Sequence, residues 1–119
     1  MKLEKVTYYL QRQDDRGALF GITNRGNWRE VNLFSSKAGA IRGNHYNQST
    51  IEFVFLLRGS ARVTTYHQTK PAQRTTTVLK AGEGHEIPPN VVHLTEYLED
   101  SETLALRDRP FHSEDVRNV

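Results

Sequence analysis

The chain has no cysteine, which excludes disulfides and every metal site built on thiolates. No stretch approaches the ~20 uncharged apolar residues needed to span a bilayer. The first thirteen residues carry Lys2, Glu4, Lys5 and Arg12 instead of an apolar leader, so the expectation is a soluble, cytoplasmic protein with no membrane partner. Charge of one sign is also lacking. The 16 basic residues nearly cancel the 14 acidic ones, for a formal charge of +2. Because the basic residues are scattered, a dedicated nucleic-acid partner is disfavoured. No helix-period segment of useful length, internal repeat or low-complexity tract is found. What remains, at 119 residues, is one domain spanning 1–119, long enough to bury a core without staples.

The signals present are nearly all β. Runs rich in β-branched and aromatic residues occur at 31–34, 52–57, 61–66, 75–79 and 103–106, each the length of a strand. Turn-forming residues separate them at Asp14–Gly17, Arg25–Asn27, Lys37–Gly39, Arg58–Ser60, Lys80–Gly82 and Glu99–Ser101, spaced as in a sandwich or barrel. The segment His67–Arg74, with Lys70-Pro71, reads as a longer surface loop. In the run Glu52–Leu57, one face can line a barrel while Phe53, Phe55 and Leu57 need a second cover. A partner subunit or the other layer of the same sandwich would supply it, and on this ground a homodimer is expected.

Two spacings carry chemistry. Gly39, five residues, His45-Tyr46-Asn47, four residues, Glu52, six residues, Gly59 sets imidazole, amide and carboxylate on what read as adjoining strands. Gly82, five residues, Pro88-Pro89-Asn90, two residues, His93 adds a second imidazole after a stiff turn. The expectation is that His45, Glu52 and His93 converge. Glu52 lies in an otherwise apolar strand, where an unpaired carboxylate costs several kcal/mol; a metal, His45, Arg42 or Arg62 would serve as its partner. His85 shares a face with Ile87 and reads as an exposed strand histidine, or as an imidazole aimed into the barrel. Trp28 and Tyr8 read as core or rim aromatics, or as stacking surfaces for a nucleotide base.

Arg42-Gly43-Asn44-His45-Tyr46, followed by Glu52 and Gly59, and then Ile87-Pro88-Pro89-Asn90-Val91-Val92-His93, resemble the two motifs of the cupin superfamily. Within it the chain is most similar to the sugar-nucleotide branch: dTDP-4-keto-6-deoxyhexose epimerases and ketoisomerases, and the C-terminal cupin domain of capsular polysaccharide biosynthesis enzymes. The resemblance covers about residues 14–117 and implies an all-β jelly-roll barrel, or double-stranded β-helix. It departs at Asn47, where a metal-binding cupin has histidine, and at Tyr97, where the second motif ends in asparagine.

The resemblance implies an isomerase or epimerase that moves a proton next to a keto group of a nucleotide-linked deoxysugar. His45 would be the base and Arg42 the diphosphate ligand, with Asn47 also facing substrate; the family's tyrosine delivers the proton on the opposite face, and Tyr97 or Tyr66 could supply that hydroxyl, although neither falls on the family's tyrosine by motif. A neutral imidazole suits such work at pH 7. Two imidazoles and a carboxylate are equally a set for one divalent ion, zinc, manganese, iron or nickel, held by His45, Glu52 and His93. In that version His45 is a ligand and the chemistry that of a dioxygenase, lyase or cyclase. A cupin that binds a ligand without turnover is the third reading.

Overall fold

The computed structural model describes residues 1–119. In chain order its strands are β1 (Val6–Thr7), β2 (Leu10–Asp14), β3 (Gly17–Gly21), β4 (Glu30–Ser36), β5 (Ile41–Asn47) and β6 (Glu52–Arg58). They continue with β7 (Ser60–His67), β8 (Thr75–Lys80), β9 (Glu83–Ile87), β10 (Val91–Tyr97), β11 (Ser101–Arg107) and β12 (Val116–Asn118). The single helical element is one 3-10 turn, Ser113–Asp115, and no helix is long and apolar enough to cross a membrane.

Ten strands form two five-stranded sheets, β1-β9-β6-β11-β4 and β12-β5-β10-β7-β8. Every pairing is antiparallel. This is the all-β jelly roll that the two motifs imply. Consecutive strands from β5 to β11 mostly alternate between the sheets, so residues near in sequence face each other across the interior. His45 and Glu52 are a case in point. They lie on β5 and β6, which belong to opposite sheets, not on adjoining strands as the spacing suggested.

Strand alternation decides what lines the interior. On β6, Glu52, Val54 and Leu56 point inward. Phe53 and Phe55 point outward, yet both are fully buried, because Tyr8, Ile22, Trp28 and Leu104 pack over them. At about 1.5–3 kcal/mol for each buried phenylalanine, burying the pair contributes about 3–6 kcal/mol. The cover is the chain's own N-terminal segment with Leu104 of the neighbouring strand β11, neither a partner nor the second sheet, and it removes the ground on which a dimer was expected. Trp28 lies 5.9 Å from Phe53 and Tyr8 5.2 Å from Phe55, ring to ring, so both aromatics are packing residues. Between the sheets Leu56, Ala61, Val63, Leu79 and Tyr97 form a second core.

The five expected strands are all present, and the loop after His67 is where the composition put it. The hairpin β2–β3, a separate two-stranded sheet, turns at Asp14–Gly17, where Arg16 pairs with Asp14 at 2.7 Å.

Candidate active site

The interior of the barrel is a cavity of about 320 Å³ lined from both sheets. One end is apolar, walled by Phe34, Leu56, Ala61, Val63 and Leu79; the other holds His45, Asn47, Glu52, His85, His93 and Arg107.

The Gly43-Asn44 pair sets the register of the polar end. Both residues have positive φ, +90° and +64°, and between them β5 bulges. His93 pairs with His45, but the next residue on β10, Leu94, pairs with Gly43, which leaves Asn44 extra. A β-bulge of this kind re-aims the following side chains. Gly43 is required: a Cβ there would stand 2.6 Å from the carbonyl oxygen of His93. The asparagine tolerates the left-handed region, and its amide donates to the carbonyl of Val119 at 3.2 Å.

With that register, His45 and His93 meet edge-on, ring centroids 4.7 Å apart and planes at 87°. Nitrogens of both rings and a carboxylate oxygen of Glu52 all lie within 4.8 Å of one another. Burial pushes the pKa of His45 down, partly opposed by the Glu52 charge. Burial likewise pushes His93 down, again against the pull of Glu52. Both imidazoles are therefore neutral at pH 7, able to accept a proton or a metal ion through a ring nitrogen.

Glu52 finds its partner in Arg107, a residue the sequence reading passed over. Arg107 Nη1 donates to Glu52 Oε1 at 2.8 Å, and Asn47 Nδ2 donates to the same oxygen at 2.6 Å. On β11, Arg107 stands directly between its cross-strand neighbours, Glu52 on β6 and Glu30 on β4. Its other contacts are Glu30 at 3.5 Å and Asp115 at 3.8 Å. Three carboxylates thus surround one guanidinium whose side chain is 8% exposed. Arg42 and Arg62, the alternatives weighed for Glu52, go elsewhere: Arg62 pairs with Glu96, and Arg42 donates to Ser36 Oγ and the Ser35 carbonyl at 2.8 and 2.9 Å. The signal for Arg107 lay in period two: Thr103, Ala105 and Arg107 share a face of β11, and an inward arginine needs an inward acid.

The remaining candidates divide. His85 is 2% exposed, not on the surface; it lines the cavity from β9, and burial together with the nearby His93 lowers its pKa to about 4. Arg42 stands at the cavity wall with its guanidinium 5.0 Å over the Phe34 ring. Tyr97 is buried in the apolar end, its hydroxyl 3.5 Å from Thr103 Oγ1. Tyr66 is buried away from the cavity, beneath the Arg74 guanidinium at 4.4 Å. Two buried polar atoms have no hydrogen-bond partner: Asn47 Oδ1 and Arg107 Nε. Orphans of this kind concentrate where a ligand completes a site.

The donor chemistry of this cluster fits a divalent ion. Two neutral imidazoles and a carboxylate suit zinc, iron or manganese, held by His45, Glu52 and His93.

A family described as polysaccharide biosynthesis C-terminal domain matches residues 12–106. No curated protein matches the chain in sequence. Among solved structures, a 3,4-ketoisomerase from Helicobacter canadensis superposes with a TM-score of 0.85 at 14% identity, over 100% of this chain and 92% of the other. A sugar 3,4-ketoisomerase from Thermoanaerobacterium thermosaccharolyticum, in complex with TDP, gives 0.81 at 16% identity over 98% and 88%. A dTDP-4-dehydrorhamnose 3,5-epimerase from Sulfolobus tokodaii gives 0.78 at 19% over 92% and 72%. At these identities the structural likeness establishes the shared fold.

Proposed function

Because the chain belongs to the polysaccharide biosynthesis C-terminal domain family, we propose that it is an isomerase acting on a nucleotide-linked deoxysugar by proton transfer beside a keto group. The observation that carries this reading is the neutral pair His45 and His93 with Glu52 close by, in a cavity that reaches Arg42. Similar structures are named for this chemistry, and one of them holds TDP.

His45, half-buried and so within reach of substrate, takes the proton from the carbon next to the ketone. The Glu52 carboxylate stabilises the imidazolium that forms, a Coulombic effect stronger in a partly buried site than in bulk water. Asn47 Oδ1 accepts from a sugar hydroxyl, which satisfies an otherwise orphaned oxygen. Arg42 binds the diphosphate through the guanidinium fork.

A keto shift returns the proton to the former carbonyl carbon from the imidazole wall, while the hydroxyl proton of the first carbon passes to the former ketone oxygen. Epimerisation needs a donor on the opposite face, the role open to Tyr97. That residue follows His93 by four positions on β10, about 13 Å at ~3.3 Å per residue, and its hydroxyl lies in the apolar end. The spacing favours the keto shift.

A second reading rests on the donor cluster itself. His45, Glu52 and His93 would hold one divalent ion, and when bound it supplies a Lewis acid for the charge on the enolate oxygen. His45 cannot serve as ligand and base together, so elemental analysis of fresh protein, with activity before and after chelation, separates the two.

A homodimer belongs to the proposal on a new ground. Val31 and Leu33, on the edge strand β4, are 65% and 67% exposed, beside the buried outer cluster. Sedimentation would test it.

The deciding experiment incubates the protein with a dTDP-4-keto-6-deoxyhexose in deuterated water. Exchange at the carbon beside the ketone, lost in His45→Ala, supports the isomerase; a folded protein that catalyses no exchange rejects it.

A further inference from the structure

Of the residues that line the cavity, three are exposed to solvent: Arg42, Gly43 and Phe111. They mark its mouth, and Phe111 alone brings a large apolar side chain to it. The ring is 60% exposed, an unfavourable place for aromatic surface. Its position is set by the segment Asp108–Asp115, which leaves β11 in one sheet, crosses to the other and continues there as β12. Both ends of this strap are tied down. At the first, the Asp108 N–H donates to the Ile51 carbonyl at 3.2 Å, and the Asp108 carboxylate accepts from the Ile51 N–H at 3.0 Å. At the second, the Asp115 carboxylate accepts from the Ser49 N–H at 2.7 Å and from the Thr50 hydroxyl, and β12 pairs with β5. Between the anchors the Phe111 N–H donates to Glu30 Oε1 at 3.0 Å. The backbone of Phe111 is thereby fixed at the mouth.

That ring stands next to the polar cluster. Its centroid is 5.5 Å from the guanidinium carbon of Arg107, whose Nη1 holds Glu52 at 2.8 Å, and a Glu52 oxygen lies within 4.8 Å of nitrogens on both imidazoles. We propose that Phe111 is the water-excluding residue of this site, its ring closing over bound substrate so that a proton taken by His45 returns to the substrate before it exchanges with solvent. This rests on the isomerase reading and deepens it, because it names what keeps the proton of a keto shift on the imidazole. In that shift the C–H bond beside the ketone breaks to a ring nitrogen of His45, and its electron pair forms a carbon–carbon double bond as the carbonyl pair moves onto the ketone oxygen. The hydroxyl proton of the first carbon passes to that oxygen, and the double-bond pair takes the proton back from the imidazolium at the former carbonyl carbon. Nothing else is consumed. An imidazolium open to bulk water exchanges its proton, whereas one beneath an apolar ring keeps it longer, since excluding water prevents proton leakage. Arg42 and Gly43 cannot supply that cover: one is charged and the other has no side chain.

The test follows a label. A dTDP-4-keto-6-deoxyhexose carrying deuterium on the carbon beside the ketone is turned over in ordinary water, and mass spectrometry measures the deuterium kept in the product. The proteins compared are the wild type, Phe111→Ala, Phe111→Leu and Leu19→Ala, the last an exposed apolar residue outside the cavity. In parallel, acylation of His45 by diethyl pyrocarbonate is followed by peptide mapping, with His67, outside the cavity, as the reference. The Phe111 ring is mostly exposed, so its variants are expected to fold, with circular dichroism as the check. The expected result is partial retention of label by the wild type and, in Phe111→Ala, a fall in the retained fraction of about threefold or more together with faster His45 acylation. Leu19→Ala should match the wild type. Phe111→Leu, which keeps an apolar cover but loses the aromatic face toward Arg107, should recover most of the retention. A wild type that retains no label, or a Phe111→Ala protein that retains as much as the wild type, rejects the proposal. So does a Phe111→Leu protein as leaky as Phe111→Ala, because the ring would then act through Arg107 and not by covering the site. If no keto sugar is turned over, the isomerase reading falls and His45 acylation decides alone: a faster rate in Phe111→Ala upholds the cover, and an unchanged rate rejects it as well.

Discussion

His93 and His45 are direct cross-strand partners on β10 and β5, and their imidazoles meet edge-on at 4.7 Å. Both line the cavity, but one ring is buried and the other half-exposed, so His45 presents more of its surface to a substrate. The pair predicts an asymmetry. His45→Ala should lower the rate of solvent-deuterium exchange by about 10²–10⁴-fold, the usual contribution of a positioned general base, with melting temperature little changed. His93→Ala, which empties a buried position, should lower both. Exchange rates and melting curves on the two variants check this; equal losses of rate with unchanged melting in both would reject the division of roles.

Arg107 is the cation within ion-pair range of all three carboxylates Glu30, Glu52 and Asp115. Removing one member of a buried ion pair leaves the other uncompensated, at a cost of about 3–5 kcal/mol. Arg107→Met should therefore destabilise the protein by that order in urea unfolding, and Arg107→Met/Glu52→Gln should recover part of it. A single variant within ~1 kcal/mol of the wild type would show that the network carries no stability.

The strands β4, β6, β7, β8 and β11 were legible because they are dense in Val, Ile, Leu, Phe and Thr. Two that form part of the site wall, β5 and β9, were not legible from composition. β5 reads Ile-Arg-Gly-Asn-His-Tyr-Asn and β9 reads Glu-Gly-His-Glu-Ile, compositions that belong to loops by local preference. They hold as strands because both neighbours in each sheet pair with them, a tertiary effect no local window contains. The convergence of His45, Glu52 and His93 was legible from motif spacing. Arg107 was not, since its partner lies 55 residues away and only the closure of β11 against β6 brings them together. For His85 the inward of the two readings holds: β9 is covered on its inner face by the second sheet, and the buried Ile87 on the same face was the only local sign of it.

His85 predicts acid sensitivity. Its folded-state pKa is about 4, against an ordinary value of 6.5, so between those values the unfolded chain binds the proton more readily. Stability therefore rises with pH across this window: it is fully present above ~6.5 and is lost as pH falls toward ~4. A shift of this size corresponds to about 3 kcal/mol. The depressed pKa of His93 acts in the same direction. Urea unfolding measured from pH 7.5 to 4 should show the decline, and His85→Leu should make it shallower. An equally steep decline in that variant would assign the effect to other groups.

Gly43 and Gly39 separate backbone strain from steric collision. Both have positive φ, +90° and +86°, so alanine at either position incurs the left-handed penalty of about 1–2 kcal/mol. At Gly39 a new methyl would meet nothing within 4 Å, whereas at Gly43 it would lie 2.6 Å from the His93 carbonyl oxygen. That collision can be relieved only by parting β5 from β10, which moves His45 away from His93 and undoes the bulge. Gly39→Ala should therefore lose stability while keeping the exchange rate, and Gly43→Ala should lose more stability and at least tenfold in rate. Unfolding and deuterium wash-in on the two variants read these quantities independently. A Gly43→Ala protein as active as Gly39→Ala would mean that the register of His45 against His93 does not govern the chemistry.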